Sequence, residues 1–362
     1  MLPADRGLMH YALPHSDKYL HVITPWALVA TACAATLLAP LVFPVMMSLG
    51  AQVAIAPCSV DKASGDAWWT GPMLANSAAT LPAGHILAEP YIYDVRASSS
   101  YDDNGRRRPA TPTNSYGSLT YIIYGVTDRL SAGAVPTFGI NTISGSSRST
   151  GIHAGDLSVQ AQFRLTSPTA CRSRPTISVS LQESLPIGQY DKLGDRPANG
   201  FGSGAYATTL AVYSQTYFKL RNDRILRVRV NVSGTVSRNA DVVGASVYGT
   251  DGLFRGLASP GAGISTDVAV EYSVTRRWVL ALDLIQRHAW DTRISGSETS
   301  APSSSISTIV MHSGPSDAFG LAPALEYNLN SNMGILFGTR VIAAGRNTAA
   351  SVTPAIAVNL VH

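Results

Sequence analysis

From about residue 85 onward the sequence is written with a period of two, and that period constrains the fold more than any other feature of the chain. Leu157, Val159, Ala161, Phe163 and Leu165 are interleaved with Ser158, Gln160, Gln162, Arg164 and Thr166. Successive side chains of an extended strand point to opposite faces, so such a run has one apolar and one polar face. Leu226, Val228, Val230 and Val232 alternate in the same way with Arg227, Arg229, Asn231 and Ser233. Trp278, Leu280, Leu282 and Leu284 alternate with Ala281, Asp283 and Ile285, and Phe319, Leu321, Leu325 and Tyr327 with Gly320, Ala322, Ala324 and Glu326. Composition agrees with an all-β chain. Only 14% of residues are charged, against roughly 25% in a soluble domain, and Gly, Ser, Thr, Ala and Val outweigh the helix formers. A soluble sandwich and a membrane barrel would both alternate like this.

The connections separate the two. Strands are expected at about 84–96, 116–125, 130–140, 156–166, 175–185, 205–220, 225–236, 263–274, 278–290, 317–328, 333–343 and 350–361. Most have the length that spans a bilayer when tilted. Short links at 126–129, 167–174, 221–224, 275–277 and 329–332 alternate strictly with long ones at about 97–115, 141–155, 186–204, 237–262 and 291–316, and a last, shorter one near 344–349. All tight turns then fall at one end and all long loops at the other, which is the asymmetry of a bacterial outer-membrane barrel. A Greek-key sandwich has no reason to keep that order. The expected fold is an all-β, transmembrane, antiparallel up-and-down barrel of about twelve strands over residues 84–362. Phe218, Tyr272, Trp278 and Tyr327 lie next to short links and Tyr116, Phe138 and Trp290 near long ones, as two interfacial girdles require. The last strand ends in His362 rather than an aromatic residue.

Residues 1–56 read as an export signal: Arg6 and Lys18 precede an almost uncharged stretch from Pro25, and Ala54-Ile55-Ala56 has the small-x-small form of a cleavage site. A retained transmembrane helix is the rival reading, which Pro40 and Pro44 disfavour. Residues 57–83 lack the alternation. Trp68, Trp69 and Pro72, with His85 just beyond, make this segment either a plug folded into the barrel mouth or a leader docked on its rim. Cys33 belongs to the signal; Cys58 and Cys171 could form a disulfide in an oxidising compartment.

The polar faces would line the lumen with Glu89, Gln160, Gln162, Arg164, Arg227, Arg229, Asp267, Glu271, Asp283, Arg287, Glu326 and Arg340. Twelve strands enclose a narrow lumen, so these charges of both signs are expected to pair across it rather than to hold a substrate. Whether Arg164, Arg227 and Arg229 form one patch is left open by the pattern. A net charge of +4 without a basic, aromatic-interleaved stripe gives no sign of nucleic-acid binding. No Cys/His cluster points to a metal or cofactor, and no GxSxG or His/Ser spacing points to an enzyme.

Several short motifs occur in a fixed order: Trp69-Thr70-Gly71-Pro72, Leu81-Pro82-Ala83-Gly84-His85, Glu89-Pro90-Tyr91, the run from Tyr124 to Leu130, Gly155-Asp156-Leu157, the run from Leu185 to Asp191, and that from Tyr272 to Trp278. In order and spacing they resemble the outer-membrane family named for the MetA pathway of phenol degradation, over roughly residues 68–362. The resemblance implies a barrel related to hydrophobic-compound channels of the fatty-acid-transporter kind. It implies passive uptake of small hydrophobic or aromatic molecules, outer-membrane lipid as the surrounding partner, and no catalytic residues. Two other expectations stand beside it: a surface-interaction barrel whose loops 237–262 and 291–316 bind a partner, and an outer-membrane lipid hydrolase.

Overall fold

The computed structural model describes residues 67–146, 148–167, 174–300 and 305–362. The signal expected over 1–56, the first part of the leader, and Cys33, Cys58 and Cys171 lie outside the described residues.

The chain begins with β1 (Ile86–Tyr101), β2 (Arg107–Thr127), β3 (Leu130–Val135), β4 (Thr137–Ile143), β5 (His153–Ala154) and β6 (Leu157–Arg164). It continues with β7 (Thr176–Leu185), β8 (Ala207–Lys219), β9 (Ile225–Ser237), β10 (Ala240–Val243), β11 (Phe254–Ser259) and β12 (Gly263–Ser273). The last six are β13 (Trp278–Ala289), β14 (Arg293–Ser300), β15 (Ser305–His312), β16 (Ser316–Asn328), β17 (Met333–Arg346) and β18 (Thr348–Val361). Twelve of them close a ring, each paired with the next: β1, β2, β3, β6, β7, β8, β9, β12, β13, β16, β17, β18 and back to β1. Each of the twelve expected strands has its counterpart in this ring, and all its pairings are antiparallel.

The alternation becomes two surfaces. On β13, Trp278, Leu280, Leu282 and Leu284 are exposed on the outside while Val279, Ala281, Asp283 and Ile285 are buried within the ring. Outward-facing Ile92, Phe163, Leu181, Leu210, Phe337 and Ile356 extend the apolar belt around the barrel. Tyr116, Phe138 and Trp290 are exposed toward the long-loop end, and Trp278 stacks on Tyr327 at the short-turn end with ring centroids 4.5 Å apart.

Prolines mark where the ladders are interrupted, because proline has no amide hydrogen to donate. Pro136 splits the strand expected at 130–140 into β3, which pairs with β6, and β4, which stays on β2. The β1–β18 ladder steps over Pro90, from Ala88↔Leu360 to Tyr91↔Ala357, and β16–β17 steps over Pro323, from Leu321↔Val341 to Ala324↔Gly338.

The structure corrects four of the connections expected at the long-loop end. The link expected at 97–115 is a continuation of the β1–β2 ladder up to Tyr101↔Arg107, closed by a tight turn in which the Asp102 carboxylate accepts from the Asn104 and Arg106 amides. The link near 344–349 is a single residue, Asn347, at φ 47° between β17 and β18. Loops 237–262 and 291–316 are not irregular. They contribute β10, β11, β14 and β15 to a separate four-stranded sheet beyond the barrel. Val242, Phe254, Ala258 and Ile294 form its own small core, packed against Tyr248 from the β10–β11 connection and Tyr190 from a neighbouring loop.

Candidate functional site

Residues 67–83 lie within the ring rather than along its edge. Their backbone is hydrogen-bonded in sequence to the inward faces of strand after strand. The segment begins at the short-turn end, where the Trp68 amide donates to Arg276 O at 2.9 Å. The Glu326 carboxylate on β16 accepts from the amides of Thr70 (2.8 Å) and Gly71 (3.1 Å). The Asp283 carboxylate on β13 accepts from Met73 (3.0 Å) and Ala75 (2.9 Å). The chain then crosses to the other wall. Arg229 on β9 donates to Ala75 O at 2.7 Å, Asn231 to Asn76 O at 3.0 Å, and Gln162 on β6 to Ser77 O at 2.9 Å. Ser178 on β7 donates to Ala78 O, and Thr80 donates to Asp128 O in the β2–β3 turn before the chain rises into β1.

Two glycines let this path exist. Gly71 adopts φ 127°, a conformation other residues rarely take. Gly334 on β17 leaves room for the Thr70 side chain, since a Cβ there would lie 1.9 Å from Thr70 Oγ1.

The lumen has two unlike sectors. On β1, β2 and β16 to β18 Tyr91, Tyr93, Leu119, Ala324, Leu336 and Ala357 pack with Met73 and Leu74 of the crossing segment into one buried cluster, beside the inward polar residues Glu89, Glu326, Asn328, Arg340 and Thr353. On β7, β8, β9 and β12 polar residues predominate, including Ser178, Gln215, Arg227, Arg229, Asn231 and Glu271, all buried, with Ala211 and Tyr213 packed against Ala78 among them. The segment meets both, packing Met73 and Leu74 into the apolar cluster, giving amides to Glu326 on β16 and Asp283 on β13, and turning the carbonyls of Ala75, Asn76 and Ala78 to β9 and β7.

The polar sector centres on an Arg–Glu–Arg group. Glu271 on β12 is fully enclosed, and both Arg227 and Arg229 on β9 pair with it, Arg227 Nε at 2.5 Å and Arg229 Nε at 3.1 Å. Register explains why: Arg227 lies directly across from Glu271 and Arg229 two residues on, along the same inward face. The Arg227 guanidinium also stacks on Trp69, 4.4 Å from the ring centroid, and Trp69 meets Tyr217 edge-on at 6.1 Å.

The other expected lumen residues are placed as follows. Glu89 accepts from Tyr91 at 3.2 Å. Gln160 lies opposite Gln182 on the β6–β7 ladder. Arg164 reaches down to Asp128 O at 2.8 Å, so it has a different partner from the Arg227–Arg229 pair. Asp267 and Arg287 lie diagonally across the β12–β13 ladder, where Ser265 is the direct partner of Arg287. Arg340 donates to Thr353 on β18 at 3.3 Å. Of the leader residues, Trp68 stacks beneath Arg276 at 4.6 Å, and Pro72 is buried in the crossing segment. His85 stands apart from them, exposed at the rim, its carbonyl accepting from the Gly125 amide.

Sequence reading did not single out Tyr213, Gln215, Ser178, Asn231 or Asn328 as contacts of the segment. All share the inward parity of their strands, so the alternation marked their face but not their partner. Among the described residues no group of His, Cys, Asp and Glu converges as metal ligands.

No protein-family model matches this sequence, and no curated protein is similar to it. Among solved structures, an outer membrane channel from Pseudomonas putida F1 aligns over 80% of this chain and 100% of its own, with a TM-score of 0.61 and 15% identity. The β domain of the Bordetella autotransporter BrkA aligns over 77% of this chain and 99% of its own, with a TM-score of 0.42 and 10% identity. The Pseudomonas putida toluene transporter TodX aligns over 85% and 99%, with a TM-score of 0.37 and 12% identity. The first of these places the fold among outer-membrane β-barrels. The other two superpose too loosely to add to it.

Proposed function

We propose that the protein is a bacterial outer-membrane channel for small hydrophobic compounds, aromatic ones among them, which pass by diffusion, and that residues 67–83 act as its plug. The apolar, tyrosine-lined sector of the lumen carries this reading. Met73 and Leu74 occupy it, and a compound able to displace them would find a surface of the same character. The outward apolar belt and the two aromatic girdles support a membrane-spanning position, with the short turns toward the periplasm and the four-stranded sheet outside the cell. The family resemblance supports the same class of cargo.

The experiment is uptake into liposomes. Wild-type protein is compared with Gly334→Ala, whose added Cβ would collide with Thr70 Oγ1 and push the segment from its bed. Faster entry of a small aromatic probe through Gly334→Ala than through wild type is the expected result. If neither protein admits the probe, though both migrate as folded barrels on unboiled gels, the channel reading fails.

A second reading is favoured by one observation, the independent core of the β10–β11–β14–β15 sheet. A surface-binding role for that sheet would be lost on replacing 237–262 and 291–316 with short turns, while uptake would be retained.

A further inference from the structure

Both ends of the barrel carry arginines, and those of the short-turn end stand next to the apolar belt. At the long-loop end Arg108 pairs with Asp102 at 3.0 Å, Arg96 with Asp94 at 2.5 Å, and Arg346 and His288 both with Asp317, while Arg106, Arg107, Arg238, Arg255 and Arg293 form no ion pair among the described residues. At the short-turn rim stand Arg129, Arg174, Arg221, Arg224, Arg276 and Arg277, and none forms an ion pair among the described residues. Lys219 is neutralised by Asp223 at 3.1 Å, and the Asp128 carboxylate accepts from the Ala83 amide.

These arginines lie immediately beyond the outward belt of Tyr124, Leu165, Phe218, Tyr272, Trp278 and Tyr327. They are spread over four turns, those following β2, β6, β8 and β12, rather than gathered into one patch.

We infer that the short-turn rim is a binding surface for anionic phospholipids, whose phosphates the arginines hold while the acyl chains lie against the apolar belt. The placement fits one kind of molecule. A phospholipid carries its phosphate a head-group's distance from its tails, and four turns of the rim set guanidinium groups next to the apolar wall. Arginine side chains reach from an apolar surface to the head-group layer and grip phosphate oxygens in a forked geometry. An acidic protein docking from below would need the cations on the end face alone and would leave the belt unused. The inference rests on the short-turn rim lying at a membrane surface, not on the channel being conductive.

The test uses the whole protein in mixed micelles holding equal phosphatidylglycerol and phosphatidylcholine, with bound lipid counted by mass spectrometry. Wild type should retain phosphatidylglycerol in preference by roughly tenfold. The variant Arg129→Gln/Arg174→Gln/Arg221→Gln/Arg224→Gln, which alters no side-chain hydrogen bond or stacking contact described above, should lose most of that preference. Arg255→Gln/Arg293→Gln, at the other end, should keep it. Equal retention of the two lipids by wild type, or an undiminished preference in the fourfold variant, would overturn the inference. If that variant does not fold, the wild-type preference is measured again in molar salt, where screening should abolish it; a salt-insensitive preference counts against arginine–phosphate binding. Probe uptake measured alongside keeps failure of the channel reading distinct from failure of this one.

Discussion

Replacing Asp283 with alanine removes both acceptors that hold the middle of the crossing segment. The carboxylate takes the amides of Met73 at 3.0 Å and Ala75 at 2.9 Å, and all three residues are buried. A hydrogen bond to a charged group contributes about 1.5–3 kcal/mol, and an amide left buried without a partner adds its own cost. Taking the lower figure for each bond gives about 3 kcal/mol of lost hold, or roughly a hundredfold in the docked-to-released ratio at 1.4 kcal/mol per tenfold. Glu326, Arg229 and Gln162 still grip either side, so the effect is local. Hydrogen exchange reads it directly: protection of the Met73 and Ala75 amides should fall by about two orders of magnitude, while that of the β12–β13 ladder stays as it was. Asp283→Asn, which keeps one acceptor oxygen, should fall between. Unchanged protection of those two amides in a folded Asp283→Ala barrel would refute the idea that this carboxylate anchors the segment.

Three further outcomes are expected. Glu271→Gln leaves Arg227 and Arg229 buried without their counter-charge, a loss of about 3–5 kcal/mol; urea titration of the folded band should show it, and adding Arg227→Met should restore part. Leu282 and Leu257 are equally exposed at 41%, one on the barrel belt and one on the outer sheet; arginine at 282 should destabilise the protein in bilayers by about 2–4 kcal/mol, and arginine at 257 hardly at all. Outside the barrel, burial tends to raise the Asp291 carboxyl, but hydrogen bonds from His312 and Gly314 outweigh it and hold it below its ordinary value. A lowered carboxyl stabilises above its unfolded value and loses that contribution as pH falls, so exchange at the Gly314 amide should quicken below about pH 4, and His312→Ala should weaken the dependence.

The barrel was legible because its two surfaces face different media. A period of two is enough to say that Leu282 and Asp283 lie on opposite faces, and the order of short and long links is enough to say that twelve such strands run up and down. Two features were legible only in part. Where the ladder continues past the belt, the β2 residues 107–112 are all exposed and the alternation fades, so a ladder looks like a loop, although Ser99 and Tyr101 opposite are buried. The outer sheet was hidden for the same reason: β14 and β15 are rich in Ser, Gly and Thr, and only Ile294, Ile309 and Met311 mark an inner face.

The sequence by itself determined which residues point inward, because strand geometry links parity to face without reference to any neighbour. It could not determine what they point at. Arg227 and Arg229 share Glu271 because the β9–β12 register sets them side by side, and Arg164, on the same kind of face, goes instead to a turn carbonyl. Residues 67–83 carry no periodicity, and most of their bonds run through backbone amides and carbonyls that any sequence would offer, with Thr70, Asn76, Ser77 and Thr80 adding side-chain bonds. Their course from Glu326 to Asp283 to Ser178 is a property of the closed ring, in which strands far apart in the chain come to face one another across a narrow lumen.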